Sequence, residues 1–142
     1  MSDAPAMPEL SPEYVDAIQV GKRLVELCSQ GQYEQAAAEL YADNIVSVEV
    51  CGMAGHPARI EGIDAVKAKG QWWAENHEVH GGDVKGPFAH GGRVAVWMSI
   101  DVTPKTGPMT GHRHTMEEVC LYTVKDGKIV HEEFFYDMTA GG

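Results

Sequence analysis

Apolar residues recur at helical spacing in the first third of the chain and again near its middle. Ser11 and Pro12 are typical of a helix start, because a serine side chain caps the first turn and proline fits the first helical position. The apolar stripe that follows predicts a helix ending near Gly31, and an alanine-rich stretch predicts a shorter one over 32–41. A third helix is predicted over 63–76.

Runs rich in β-branched and aromatic residues predict five strands in the rest of the chain. They are expected over 45–51, 79–88, 94–102, 115–124 and 129–137. Asp126-Gly127 between the last two runs predicts a tight antiparallel hairpin, and the glycines of the second run predict bulges or a sharp bend. The order α-α-β-α-β-β-β-β indicates one α+β domain over 11–142 after a mobile lead-in at 1–10, with the helices on one face of a curved sheet.

The closing hairpin carries large apolar side chains on both of its faces, since side chains alternate along a strand. A sheet buried on two sides in a chain of this size needs helices on one face and a further cover on the other. We therefore expect a homodimer in which a second subunit covers the outer face of the sheet, including Phe135 and His131.

Composition excludes several classes of partner. The 142 residues carry a formal net charge of −10, so the chain lacks the basic surface that a nucleic-acid partner requires. It has no apolar run long enough to span a membrane and no secretory signal pattern near Met1. Cys28, Cys51 and Cys120 are odd in number and lie in apolar runs, so we expect reduced core thiols and a cytoplasmic protein.

Three motifs carry a resemblance to a known family: LYADNIVSVEV over 40–50 after a helix pair, the helix start at Gly62-Ile63-Asp64, and YTVKDGKIVHEEFFYD over 122–137. Together they resemble the SnoaL-like branch of the nuclear-transport-factor-2-like superfamily. The resemblance implies a cystatin-like α+β barrel: a cone-shaped, strongly bent antiparallel sheet wrapped around N-terminal helices. It also implies an apolar-lined pocket at the wide end and dimerisation through the outer sheet face. Members include polyketide cyclases, ketosteroid isomerases, dehydratases, epoxide hydrolases and non-enzymatic binding domains, so the activity stays open.

The resemblance to the ketosteroid isomerases places Glu49 at the position of their proton-abstracting acid. Their two oxyanion-hole donors fall on Leu24 and Cys120, which cannot donate a strong hydrogen bond to a developing enolate, so their mechanism is not expected. The same register directs six side chains into the cone: Met116, Glu118, Cys120, Glu132, Phe134 and Tyr136.

Acidic and imidazole groups are the candidates for catalysis. Glu118 and Glu132 share the predicted inner face, where two close carboxyls form an acid–base pair unless a histidine or Arg113 neutralises them or a bulge turns one outward. Glu49 either lines the pocket or lies solvated at its mouth. His114 shares the face of Glu118, and with His112 it has a spacing that metal sites use, but such pairs are also common at exposed strand ends. No metal is expected. The catalytic candidates are Glu49, Glu118, His114 and Glu132.

The candidates for ligand contact are Met116, Cys120, Phe134, Tyr136, Trp72 and Trp97. Of Trp72 and Trp73, one is expected to pack the third helix on the sheet and the other to line the pocket. The face of Trp97 is open, because a shift of one residue in the strand register would move its side chain to the other side of the sheet. With no phosphate-binding loop or dinucleotide fingerprint, no cofactor is expected.

Two functions remain open. The first is a cofactor-independent isomerase, cyclase, dehydratase or hydrolase that uses carboxylate acid–base chemistry on a small apolar organic molecule. The second is a non-catalytic ligand-binding or dimerisation module. Convergence of Glu49, Glu118, His114 and Tyr136 on one cavity favours the enzyme.

Overall fold

The computed structural model describes residues 8–53 and 55–139, and it confirms the α+β class. The elements in chain order are α1 (Pro12–Ser29), α2 (Tyr33–Leu40), β1 (Tyr41–Val48), β2 (Arg59–Glu61), α3 (Ile63–Glu75), β3 (His77–His90), β4 (Arg93–Pro104), β5 (His114–Lys125) and β6 (Lys128–Phe135). Most of the predicted lead-in at 1–10 lies outside the described residues. Within the described ranges, no helix is both long and apolar enough to cross a membrane.

The first helix forms as its sequence predicts. The Ser11 side-chain oxygen accepts a hydrogen bond from the backbone N–H of Tyr14 at 3.1 Å, and Pro12 occupies the first turn. Gly31, with φ of +72°, lies just beyond the end. Gly21 faces β3 so closely that a Cβ there would lie 2.8 Å from Pro87 Cβ. The helix therefore packs with its backbone almost against the sheet.

The six strands form one curved sheet in the order β2-β1-β6-β5-β4-β3. The prediction of a wholly antiparallel barrel needs two corrections. β1 runs parallel to β6, and the chain from β2 to β5 is the long crossover connection that a parallel pair requires. The sheet is also open, since β2 and β3 occupy its opposite edges.

Two strand boundaries differ from the prediction. β1 begins at Tyr41 and ends at Val48, both earlier than predicted, because the exposed Asp43 and Asn44 belong to the strand. β2 was not predicted, since three residues are too few to show an alternating pattern. The observed order therefore contains one strand more than expected.

The hairpin and the bulges are confirmed. Asp126 and Gly127 have φ angles of 52° and 75°, as a tight two-residue turn requires. In β3 the register shifts on either side of the glycine-containing stretch, between Val79 and Gly81 and again between Lys85 and Phe88.

A bulge also changes one predicted face. The β5–β6 register shifts between Thr123 and Val124, which turns Ile129 into the core together with Glu132. Strict alternation along the strand groups Ile129 with His131 on the outer face. The extra residue in the ladder reverses the direction of the Ile129 side chain.

The core lies between α1 and the inner face of the sheet, which is the face that the helices cover. Its fully buried members include Leu24, Leu27 and Ile45. The outer face of the sheet stays apolar and uncovered: Phe88 is 66% exposed and Phe135 is 49% exposed.

Candidate functional site

Glu132 is the buried centre of a polar cluster on the inner face. It lies on β6 directly opposite Ser47 of β1 and is 2% exposed. Its Oε1 accepts a hydrogen bond from Ser47 Oγ at 2.8 Å, and its Oε2 accepts one from the Tyr41 hydroxyl. Burial raises the pKa of Glu132, and these two hydrogen bonds oppose the rise.

Lys69 of α3 extends this cluster. Its ammonium donates to Ser47 Oγ at 2.7 Å and to Glu49 Oε1 at 2.9 Å, and it lies 5.1 Å from the ring centre of Phe134. An ammonium can only donate, so Ser47 must accept from Lys69 and give its own proton to Glu132. Both hydrogen bonds of this chain therefore have a defined direction, from Lys69 to Ser47 and from Ser47 to Glu132.

Glu49 is held at both of its oxygens. Oε1 faces Lys69, while Oε2 accepts a hydrogen bond from the Tyr136 hydroxyl at 3.0 Å. The Glu49 and Lys69 side chains are 20% and 16% exposed, so the pair lies near the surface end of the cluster. Burial, followed by the charge of Glu49, raises the pKa of Tyr136, which keeps its hydroxyl protonated and donating.

Glu118 lies on the inner face of β5, next to the same charges. Burial is the main cause that raises its pKa to about 7; the charges of Glu49 and Glu132 add to the rise and Lys69 opposes it. Its hydrogen-bond partner is the Cys120 thiol, with Sγ 3.4 Å from Oε1. A thiol is a weak donor, so this carboxyl is the least restrained of the three.

A depression of about 320 Å³ lies where α1 ends beside β3. Cys28, Tyr33, Val79 and Gly81 contribute to its lining. Burial raises the pKa of Cys28 to about 12, and the charges of Glu132 and Glu118 contribute. The pKa of Tyr33 is also raised, mainly by burial and partly by the charge of Glu118. The inner wall of the depression is therefore within electrostatic reach of Glu118.

The structure brings six of the predicted site residues together. Glu49, Glu118, Glu132 and Tyr136 come together around Lys69 through hydrogen bonds or electrostatic interaction. Phe134 and Cys120 join them by direct contact with Lys69 and Glu118.

His114 is not brought to the cluster. Its Nδ1 lies 2.8 Å from the backbone oxygen of His112. His114 precedes Glu118 by four positions along β5, which is about 13 Å at the usual rise of a strand. Met116 lies between them on the same face and is half-buried. Within the described ranges, no group of three His, Cys, Asp or Glu side chains is arranged to hold a metal ion.

The structure corrects the placement of Trp97. Val96 and Met98 point into the core, so Trp97 between them lies on the outer face, opposite Val119. The Lys85 ammonium lies 4.8 Å from the centre of its ring. Trp97 therefore does not line the inner-face cluster.

The two tryptophans of α3 surround one histidine. The ring of Trp73 stacks on His77 with centres 4.3 Å apart, and Trp72 contacts His77 at 6.3 Å and His56 at 5.4 Å. His56 and His77 are half-buried in this aromatic group. Trp72 thus lies at the junction of α3, β3 and the loop after β1.

Sequence reasoning missed three members of the cluster: Tyr41, Ser47 and Lys69. Tyr41 directly follows α2, and a tyrosine at a helix end is by default a core residue. Ser47 and Glu49 are two residues apart around the end of β1, and polar residues at that spacing are a signal for one shared face. Lys69 lies three residues after the buried Val66, so a lone cation on the apolar stripe of α3 was the available clue.

Comparison with known proteins gives the family. The SnoaL-like domain profile matches residues 15–136. A structure from Mesorhizobium loti, provisionally named a SnoaL-like polyketide cyclase, is 48% identical with a TM-score of 0.75 and covers 83% of this chain and 97% of its own. No curated protein matches the sequence.

Two more distant structures share the fold. A protein from Jannaschia sp. CCS1, provisionally named a SnoaL-like polyketide cyclase, is 20% identical with a TM-score of 0.71 and covers 94% of each chain. An LEH-like epoxide hydrolase of M. tuberculosis is 20% identical with a TM-score of 0.61 and covers 90% of this chain and 83% of its own. With the polar cluster on the inner face of the curved sheet, and a match that spans most of the sequence, the chain belongs to the SnoaL-like domain family.

Proposed function

We propose that this protein is a cofactor-independent enzyme that moves a proton on a small, mostly apolar organic molecule, with Glu118 as the group that takes or gives the proton. The availability of Glu118 carries the proposal. Both oxygens of Glu49 and both oxygens of Glu132 accept hydrogen bonds from strong donors, whereas Glu118 has only the weak Cys120 donor among the described residues. A carboxyl with a pKa of about 7 exchanges protons readily at neutral pH.

The other two carboxylates then have positioning roles. Sequence reasoning placed the base at Glu49, but Lys69 and Tyr136 already occupy both of its oxygens with hydrogen bonds. Glu132 is too buried to touch a substrate. The Mesorhizobium relative bears a polyketide cyclase name. Removal of a proton beside a carbonyl group is chemistry that a positioned carboxylate base can carry out. Proton abstraction next to a carbonyl is therefore the reaction class that we assign to this site.

The test uses 5-nitrobenzisoxazole, a neutral compound from which a base removes one C–H proton. The electrons of that bond form a nitrile as the N–O bond breaks, and a coloured phenolate is released. We expect the rate to rise with pH through about 7, as Glu118 loses its proton. Glu118→Gln is expected to lower the rate by about 100-fold or more.

Glu117→Gln is the matched control, because Glu117 is the exposed neighbour on the opposite face of β5. A rate that Glu118→Gln leaves unchanged contradicts the assignment. If Glu49→Gln alone removes the activity, the base is Glu49. A protein that binds the compound without turnover is a ligand-binding module.

We also propose that a second copy of the chain covers the outer face of the sheet. The register places Trp97, Val119 and Phe135 in one row across β4, β5 and β6 on that face. Val119 is 43% exposed and Phe135 is 49% exposed, and an apolar row of this kind is typical of a protein interface. The inner-face cluster lies on the opposite side of the sheet, so dimer formation leaves it accessible.

A further inference from the structure

We propose that Lys69 binds the substrate oxygen on which negative charge develops, and that the substrate arrives as a neutral carbonyl compound. This rests on the proposed function, because it assigns the group that stabilises what proton removal creates. The hydrogen-bond donor beside Glu118 is the Cys120 thiol, which is a weak donor and cannot supply a strong hydrogen bond to an oxyanion. A proton-abstracting site without such a donor lacks what is usually the largest single contribution to catalysis.

Lys69 has one donor left for this task. An ammonium carries three N–H groups, and the hydrogen bonds to Ser47 and Glu49 occupy two. The third has no hydrogen-bond partner within residues 8–53 and 55–139. The side chain is 16% exposed, so a small molecule can reach this N–H although the surrounding protein excludes most water. A partly desolvated donor of fixed direction suits a developing oxyanion.

The cluster behind Lys69 explains why its position is fixed. Ser47 is fully buried, and its hydroxyl links the ammonium to Glu132, which Tyr41 holds from the other side. A carboxylate this deeply buried costs free energy, and Glu132 has no direct contact with the cation that would offset it. Its hydrogen bonds instead hold Ser47 in the one orientation that can accept from Lys69. Glu132 and Tyr41 are therefore positioning residues for the ammonium.

The balance of charge defines the substrate class. When Glu118 is ionised and ready to accept a proton, the charges of Glu49 and Glu118 together exceed that of Lys69, so a molecule that arrives as an anion is repelled. A neutral carbonyl compound avoids this repulsion. When Glu118 takes its proton, the C–H bonding electrons move onto the carbonyl oxygen as an enolate, and the total charge of the site stays the same. The negative charge has moved from Glu118 to an oxygen beside Lys69.

The experiment measures the ionisation of a bound probe and needs no turnover. 4-Nitrophenol is titrated into the protein, and visible absorbance gives the fraction bound as the phenolate at a fixed pH. Lys69→Met is expected to lower the ionisation constant of the bound phenol by about tenfold or more. The matched control is Lys67→Met, which removes an exposed lysine from the same helix and is expected to change nothing. Nitrobenzene, a neutral probe, is expected to bind both variants equally.

An ionisation constant that Lys69→Met leaves unchanged overturns the proposal, and so does failure of the unsubstituted protein to bind 4-nitrophenol. If Lys69→Met does not fold, Ser47→Ala decides: losing one anchor of the ammonium is expected to lower the ionisation constant severalfold, and no change overturns the proposal. If the ionisation constant of bound 4-nitrophenol depends on Lys69 but the protein shows no proton-transfer activity, only the proposed function is rejected. If proton transfer needs Glu118 but the ionisation constant does not depend on Lys69, only the present inference is rejected.

Discussion

Ser47 and Glu132 lie opposite each other on the parallel strands β1 and β6, with Ser47 Oγ 2.8 Å from Glu132 Oε1. The serine hydroxyl accepts from Lys69 on its other side. One small side chain therefore connects a helix with two strands that are far apart in the sequence, and the arrangement of charge in the site depends on it.

Removing this link is expected to destabilise the protein. Ser47→Ala leaves one oxygen of the buried Glu132 and one donor of Lys69 without a partner, and we expect a loss of about 1–3 kcal/mol in the free energy of unfolding. Urea denaturation measures it. Ser99→Ala, on the half-buried outer side of β4, is the control with a small expected effect. Equal stability of the two variants would contradict the structural role of Ser47.

The stability of the protein is expected to fall as pH rises towards 7. Folding raises the pKa of Glu118 from 4.5 to about 7, so the folded protein holds this proton over a range in which the unfolded chain has lost it. The stabilising contribution of the protonated form is complete below about pH 4.5 and is lost as pH rises through about 7, for at most about 3 kcal/mol. Glu132, whose pKa is also raised, acts in the same direction.

Denaturation curves between pH 4 and pH 8 measure this slope, which Glu118→Gln is expected to reduce and Glu117→Gln to preserve. A slope that Glu118→Gln leaves intact would show that another group titrates.

Charge on the outer sheet face is expected to prevent dimer formation. Val119→Lys places an ammonium in the centre of the apolar row that includes Trp97 and Phe135. The free energy needed to desolvate this ammonium is expected to exceed the free energy gained from the dimer contact. Sedimentation equilibrium at micromolar concentration is expected to give a dimer for the unsubstituted chain and a monomer for this variant. Val79→Lys, at a valine 47% exposed beside the depression, is expected to remain dimeric. A monomeric unsubstituted chain would refute the dimer.

Alanine at two helical glycines is expected to have opposite effects. At Gly21 the new Cβ would lie 2.8 Å from Pro87 Cβ and 2.9 Å from Val94 Cγ1, so we expect a loss of about 1–3 kcal/mol from overpacking. At Gly70 nothing lies within 4 Å of the new Cβ, so alanine is expected to stabilise α3 by about 0.5–1 kcal/mol. Thermal denaturation of both variants tests the packing of α1, and stabilisation by Gly21→Ala would contradict it.

Local signals predicted the helices and the closing hairpin, because Ser11, Pro12 and Asp126-Gly127 act on their own neighbours. The parallel pairing of β1 with β6 was not predictable in this way, since it depends on residues more than 80 positions apart. The order of predicted elements gave the α+β class and the family resemblance gave the bent sheet, but a single bulge reversed the direction of Ile129.

The site was also predictable only as far as local patterns reach. Alternation along β5 and β6 identified Glu118, Glu132 and Tyr136, whereas Lys69 reaches the site from a helix and no pattern within the strands indicates it. The face of Trp97 depended on a register that only the neighbouring strands determine.

The parallel pairing of β1 with β6 has a consequence for biosynthesis. Ser47 and Glu49 are translated early, but Glu132 and Tyr136, which complete their hydrogen bonds, leave the ribosome more than 80 residues later. Until then β1 exposes an unpaired edge on the side where β6 will insert. A nascent chain that stalls before β6 therefore displays a hydrophobic strand to its surroundings, and chaperone binding at this stage of translation would protect it from aggregation.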